Sequence, residues 1–157
     1  MKRCYFQLLD AMLTASSMSV LPGVRELLNE LAAIPGVVVG LQTGNWREAA
    51  EIKLARFGLA GYFEVGAFGD DQPDRGALPI LARSQAEETT GLVIGPGQTV
   101  IIGDTALDVA CARTWNMASV GVATGRTSRD ELRAAGADLV VSTLAEVDAP
   151  SLLGLTR

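Results

Sequence analysis

The sequence predicts an α/β fold in which helices cover both faces of a parallel β-sheet. Strand-like apolar runs alternate with helical patterns from residue 22 onward. The runs at 37–41 and 100–102 are continuously apolar, as is usual for parallel strands buried on both faces. With 157 residues, the chain is long enough to bury one core. Right-handed crossovers would then bring the carboxyl ends of the strands, where ligands bind, to one edge of the sheet.

In the first half, Pro22-Gly23 opens a helix and Pro35-Gly36 ends it. The run 37–41 is the predicted strand that follows. Thr43-Gly44-Asn45 turns the chain, and Asn45 with Glu48 three positions later predicts a capping box for a helix through Arg56. A further strand is expected around 62–65.

In the second half, Asp74 is the predicted N-cap of a helix over 75–89. Gly95-Pro96-Gly97 predicts a turn before the strand that ends at Gly103. Strands are also expected at 119–122 and 138–141. Between them, Ser128 and Glu131 predict a capped helix.

Composition excludes several classes of function. The net charge of −5 and the scattered basic residues argue against nucleic-acid binding. Since histidine is absent, imidazole bases and histidine-ligated zinc are excluded. The two cysteines, Cys4 and Cys111, are too few for a disulfide framework, and Cys111 is expected to be a buried packing residue. No apolar run is long enough to span a membrane, and we expect a cytoplasmic protein.

Two acids follow the strand that ends at Gly103. Asp104 and Asp108 stand four positions apart, where a helical pattern begins. Acids at the mouth of a parallel sheet are suited to Mg²⁺, which prefers oxygen ligands and commonly binds substrate phosphate as well. The alternative is structural: Asp104 caps the helix, and Asp108 lies in its first turn.

Thr43, Arg75 and the two acids are all expected at helix-entry loops on the same edge of the sheet. A hydroxyl, a cation and two carboxylates around one crevice suit phosphate and metal together. This combination favours a ligand site over a set of helix caps.

These motifs, in this order, resemble the haloacid dehalogenase (HAD) superfamily, particularly its phosphoglycolate-phosphatase-like members, over roughly 21–147. The resemblance implies a Rossmann-like three-layer core with the cap domain absent or vestigial. It implies that Asp104 and Asp108 bind Mg²⁺ and that Thr43 and Arg75 are catalytic. It also implies that Thr43, Gly44, Asn45 and Arg75 bind the phosphoryl group. Arg75 stands where the family commonly has lysine.

The family's first motif, Asp-x-Asp-Gly-Thr at the end of the first strand, has no clear counterpart here. Residues 1–20 are therefore a separate N-terminal segment, and 21–157 the HAD-like core. In one hypothesis, Tyr5 to Val20 resembles a remnant cap helix. In the other, Cys4 to Leu9 is a strand and Asp10 to Thr14 a degenerate first motif, with Asp10 as the nucleophile. Without a central first strand, two interior sheet edges would be exposed.

The resemblance thus predicts a HAD-like hydrolase of Mg²⁺-dependent phosphomonoesterase descent that acts on a small phosphate ester, with activity weak or lost. The alternative is a non-catalytic phosphate- and Mg²⁺-binding domain, or a self-assembling one. The expected partners are a small phosphorylated molecule and a second copy, which would dimerise through an exposed sheet edge or a swapped N-terminus. Neither nucleic acid nor a membrane is an expected partner.

Overall fold

The computed structural model describes Leu9, residues 19–72 and residues 74–156. In that part of the chain the α-helices are α1 (Val24–Ala32), α2 (Arg47–Arg56), α3 (Leu78–Thr90), α4 (Ala106–Thr114), α5 (Arg129–Ala135) and α6 (Ala149–Leu153). The strands are β1 (Gly40–Thr43), β2 (Val65–Phe68), β3 (Val100–Gly103), β4 (Ala118–Val122) and β5 (Leu139–Val141). Short 3₁₀ helices include Arg75–Ala77 and Leu144–Glu146.

The strands form two parallel sheets. In the first, β1 pairs with β2, from Gly40 opposite Val65 to Thr43 opposite Phe68. In the second, β4 lies between β3 and β5. Among the described residues, no strand pairs with the second edge of β1 or of β3.

Helices cover both faces of the second sheet, as predicted. On one face, Leu27 of α1 and Leu152 of α6 pack with Val120 and Val122 of β4. On the other face, Ala112 of α4 packs with Ile101 of β3. The α/β class and the helical coverage of a parallel sheet are therefore confirmed.

The predicted caps have different outcomes. Asp74 and Ser128 accept hydrogen bonds from the first turns that follow them, as expected. The predicted Asn45 cap is wrong, because α2 begins one residue later with Trp46 as its N-cap. The amide of Arg47 donates instead to Asp70 Oδ1 at 2.9 Å, which satisfies this helix end from a neighbouring loop.

The first sheet begins later than its apolar runs predict. β1 starts at Gly40 and not at Val37, and β2 starts at Val65, since residues 60–62 form a 3₁₀ turn. An apolar run marks burial, whereas strand limits depend on the partner strand. Here the pairing extends to the polar Gln42 and Thr43, which no hydrophobic pattern includes.

Asp10 and both hypotheses for the N-terminal segment lie outside the described residues, apart from Leu9, whose backbone is helical. The division at residue 20 stays a prediction, as do the homodimer and the cytoplasmic location. Within residues 19–72 and 74–156, no helix has the length and apolar character to cross a membrane.

Candidate active site

The loop after β1 holds the hydroxyl of Thr43. Its Oγ1 accepts hydrogen bonds from the backbone amide of Asn45 at 3.1 Å and from Asn45 Nδ2 at 2.8 Å. Asn45 Oδ1 in turn accepts one from Lys53 Nζ at 3.2 Å. Because Oγ1 already accepts twice, the hydroxyl proton of Thr43 is left to donate to a ligand.

Arg75 lies directly against this loop. A Cβ built on Gly44 would lie 2.5 Å from Cζ of Arg75 and 2.7 Å from its Nε. Only glycine leaves room for the guanidinium at this distance. The Arg75 side chain is exposed and has no carboxylate partner among the described residues. The structure thus places a cation beside the backbone that follows Thr43.

The turn that carries Arg75 is attached to α4. Trp115 Nε1 donates to the carbonyl oxygen of Gly76 at 2.7 Å. Cys111 Sγ lies 3.9 Å from the carbonyl oxygen of Arg75. Burial raises the pKa of the Cys111 thiol, and the negative charges of Asp108 and Asp74 raise it further. Cys111 is therefore a buried packing residue, as predicted.

Asp108 has a structural role at the start of α4. The N-cap is Thr105, whose side chain accepts from the amide of Asp108. Asp108 Oδ2 accepts from the amide of Thr105 at 3.0 Å and from its Oγ1 at 2.7 Å. The Asp108 carboxylate also lies over Gly103, where a Cβ would collide with it. One carboxylate oxygen of Asp108 is thus committed to the capping box.

Asp104 has no such role. Since Thr105 caps the helix, the alternative in which Asp104 is the cap is wrong. The carboxylate of Asp104 lies over Gly125 in the loop after β4, where a Cβ would collide with Oδ2. Asp104 is exposed and accepts no hydrogen bond from the described residues. It is therefore the acid at the end of β3 that is available for a ligand.

The other acids in the loop after β2 are already engaged. Asp71 pairs with Arg47 at 2.9 Å, and the Arg47 guanidinium lies over the ring of Phe68. Asp70 accepts from the Arg47 amide, and Asp74 accepts from the Gly76 amide at 2.8 Å. Asp71 uses both of its oxygens in these loop contacts, whereas Asp70 and Asp74 each use one.

A chain of contacts leads from Gly44 through Arg75 to the helix that Asp108 caps. Gly44 touches Arg75, and the turn of Arg75 touches the helix that Asp108 caps. Thr43 makes no hydrogen bond to Asp104 or Asp108 among the described residues. The ligand roles assigned to these residues therefore remain predictions.

Sequence reasoning missed Lys53, which holds the Asn45 side chain. The sequence could have predicted this contact, because the long side chain of a helical residue such as Lys53 points back towards the N-terminus of its helix, where Asn45 lies.

The carboxylates of Asp104 and Asp108 could bind a magnesium ion only if further ligands complete its coordination. Among the described residues, no three histidine, cysteine, aspartate or glutamate side chains are grouped as a metal cage. Asp104, with no donor on its carboxylate, and the remaining oxygen of Asp108 can supply two oxygens. Mg²⁺ typically binds through one or two carboxylates and completes its octahedron with water and substrate phosphate. The two acids fit that mode of binding.

Comparison with known proteins bears on the family of the chain. A family model described as HAD-hydrolase-like matches residues 75–147, which include Arg75, Asp104 and Asp108. A phosphoglycolate phosphatase from Chromobacterium violaceum is 35% identical over 136 residues, which cover 85% of this chain and 57% of the relative.

Solved structures share the fold. The CbbY protein of Rhodobacter sphaeroides, solved with xylulose-(1,5)bisphosphate, has a TM-score of 0.81 and 20% identity over 96% of this chain and 66% of its own. A predicted phosphoglycolate phosphatase from Haemophilus somnus has a TM-score of 0.73 and 21% identity over 87% of this chain and 59% of its own.

The chain belongs to the haloacid dehalogenase superfamily. Within that superfamily it is a phosphatase-like domain that is similar to phosphoglycolate phosphatases. It spans between 54% and 58% of the length of the curated relatives that it matches.

Proposed function

We propose that the loops after β1 and β3 form a site for a small phosphate ester together with Mg²⁺. The chain descends from a Mg²⁺-dependent phosphomonoesterase, and its activity is weak or lost. The observation that carries the proposal is the Arg75 guanidinium, which lies against Gly44 and has no carboxylate partner among the described residues, next to the Thr43 hydroxyl, whose proton can donate. The relatives named phosphoglycolate phosphatases support the class of substrate.

Arg75 and Thr43 supply the phosphate contacts. A guanidinium recognises phosphate through paired N–H groups, and such charge-assisted hydrogen bonds are the strong ones in proteins. Arg75 does not have to break an ion pair before it binds, because it has no carboxylate partner among the described residues. The Thr43 proton adds a neutral donor on the same loop as Gly44.

Asp104 and Asp108 would hold the metal. When bound, Mg²⁺ supplies positive charge that neutralises the phosphate oxygens and orients the ester. Asp104 contributes a carboxylate that accepts no hydrogen bond from the residues the structure describes, whereas Asp108 keeps one oxygen in the capping box. We therefore expect Asp104 to be the more sensitive of the two to substitution.

No carboxylate of the described residues is assigned here to the attack on phosphorus. Both acids at the end of β3 are assigned to the metal, and Asp70, Asp71 and Asp74 are held by their own hydrogen bonds. In the family, an aspartate nucleophile accepts the phosphoryl group. Asp10 is the candidate for this role in the present chain, and it lies outside the described residues.

A binding experiment tests the site. Inorganic phosphate is titrated calorimetrically into the full chain with and without Mg²⁺. Arg75→Gln and Asp104→Asn should each weaken binding by about tenfold or more, since a charge-assisted contact contributes roughly 1.5–3 kcal/mol. Arg56→Gln and Asp130→Asn, at exposed helical positions, are the matched controls and should bind like the parent. Equal affinities for all five proteins would overturn the proposed site.

A turnover experiment separates the enzyme from its alternative, a domain that binds phosphate and Mg²⁺ without hydrolysis. The lack of an Asp-x-Asp-Gly-Thr motif in the sequence favours this alternative. Release of phosphate from p-nitrophenyl phosphate is measured with Mg²⁺ for the parent and for Asp10→Asn. Activity that Asp10→Asn abolishes supports the phosphatase. Binding of phosphate without release above a metal-free blank supports the non-catalytic domain.

A further inference from the structure

Lys53 lies on α2, the helix that follows the loop of Thr43. It is half-buried, and its Nζ donates a hydrogen bond to Oδ1 of Asn45 at 3.2 Å. None of the ion pairs among the described residues includes Lys53. The ammonium group therefore contacts the side-chain amide of a loop residue and has no carboxylate partner in the described part of the chain.

This contact fixes the orientation of the Asn45 side chain. A half-turn about the Cβ–Cγ bond would exchange the oxygen and the nitrogen of the amide, of which the oxygen only accepts and the nitrogen only donates. Since an ammonium group only donates, Lys53 can bond to the oxygen alone. The nitrogen then faces Thr43, and Nδ2 donates to Thr43 Oγ1 at 2.8 Å. Lys53 thus selects one of two orientations of the amide.

The orientation of Asn45 decides what the hydroxyl of Thr43 can do. Oγ1 accepts from Nδ2 and also from the backbone amide of Asn45 at 3.1 Å, so its own proton points elsewhere. In the reversed orientation, Oδ1 of Asn45 would accept that proton. A phosphate oxygen would then have to compete with Asn45 for the only hydrogen-bond donor of the Thr43 side chain.

We infer that Lys53 is a positioning residue, which acts through Asn45 to keep the proton of the Thr43 hydroxyl available to a phosphate oxygen. The ammonium donates to the amide, the amide donates to the hydroxyl, and the hydroxyl is left to donate to the ligand. Hydrogen bonds that run in one direction strengthen one another. The inference names a further residue of the phosphate site and, in its relevance to phosphate, rests on the proposed function.

Calorimetric titration of inorganic phosphate into the full chain with Mg²⁺ tests the effect on binding. Lys53→Met, which removes the donor, should weaken binding about three- to tenfold, as expected for one neutral hydrogen bond. Lys53→Arg should stay within about twofold of the parent, because a guanidinium also only donates. Arg56→Met removes a positive charge from an exposed position of the same helix and is the matched control. Equal losses from Lys53→Met and Arg56→Met would reflect net charge alone and would overturn the inference.

A double-mutant cycle separates positioning from direct contact with phosphate. When Thr43→Val has removed the hydroxyl, adding Lys53→Met should cause no further loss of affinity. An undiminished further loss would mean that Lys53 acts on phosphate itself, and it would overturn a role through Asn45 and Thr43.

The free chain provides a measurement that needs no phosphate. One Nδ2 proton of Asn45 is hydrogen-bonded to Thr43, so its exchange with water can be followed by ¹⁵N NMR. This exchange should be faster by about threefold or more in Lys53→Met and unchanged in Lys53→Arg, because only the arginine keeps the amide in place. Equal exchange in the parent and in Lys53→Met would overturn the inference. Failure of the parent to bind phosphate would instead refute the proposed function, and the exchange rates would still decide whether Lys53 orients Asn45.

Discussion

Replacing Gly44 with alanine tests the arrangement of the site without removing any functional group. The new Cβ would lie 2.5 Å from Cζ, 2.7 Å from Nε and 2.8 Å from Nη2 of Arg75. Ordinary carbon contacts lie at about 3.5–4.0 Å, so the guanidinium must move by roughly 1 Å. That displacement is enough to break hydrogen bonds that were formed at normal distances. We expect phosphate affinity to fall about 10- to 100-fold, in line with the loss of charge-assisted contacts.

The same substitution should leave stability nearly unchanged. Gly44 is not among the glycines with positive φ, and the atoms that must move are at the free end of a flexible side chain. The free energy of unfolding from urea denaturation should therefore stay within about 0.5 kcal/mol of the parent. Gly61→Ala is the matched control, because a Cβ there meets nothing within 4 Å.

A double-mutant cycle decides the cause of the loss. If Gly44→Ala acts by moving Arg75, adding it to Arg75→Gln should cause no further loss of phosphate affinity. Additive losses would show that Gly44 acts independently of Arg75. Unchanged affinity of Gly44→Ala alone, measured by the same calorimetric titration, would refute the placement of Arg75 as a phosphate ligand.

Three further predictions concern stability and reactivity. Leu132→Ala, at a fully buried position, should lower the free energy of unfolding by about 2–5 kcal/mol in urea denaturation, whereas Leu92→Ala at an exposed position should not. Ser128→Ala should cost about 1 kcal/mol at neutral pH, as is usual for an N-cap. Hydrogen bonds from Ser128 lower the pKa of Glu131 in the folded state. The stabilisation from this contact is therefore fully present above the pKa of Glu131 in the unfolded state and is lost as pH falls through its pKa in the folded state. Urea denaturation at several pH values should show the difference in unfolding free energy between the parent and Ser128→Ala become smaller over that range. Because burial raises the pKa of Cys111, iodoacetamide should label it, as followed by peptide mass mapping, much more slowly in the native than in the urea-unfolded chain.

Local sequence signals predicted much of the fold. Ser128 and Glu131 form the expected capping box, and Asp74 caps its turn, because these contacts depend on residues within three positions of each other. Asn45 matched the same pattern and failed. Its side chain bonds to Thr43, and Asp70 from a distant loop satisfies the helix end instead. A competing long-range partner cannot be seen in a local pattern.

In the candidate site too, local sequence patterns predicted some features and contacts between distant residues decided others. The position of Asp104 and Asp108 after β3 follows from the strand and helix pattern, but their different roles do not. Thr105 and Asp108 form a capping box, so that Asp104 is not the helix cap, and this becomes visible only in three dimensions. The close approach of Gly44 and Arg75 joins residues 31 positions apart and likewise requires the folded chain.

The hydrogen bond from Trp115 to the backbone of Gly76 connects α4 to the turn that carries Arg75. No strand pairing joins the two sheets within the described residues, so that side-chain contacts such as this one connect them in addition to the covalent chain. An anion bound to Arg75 would thus lie on a turn that is hydrogen-bonded to α4, the helix that follows Asp104 and contains Asp108. A ligand held by both Arg75 and Asp104 would therefore bridge the two halves of the domain.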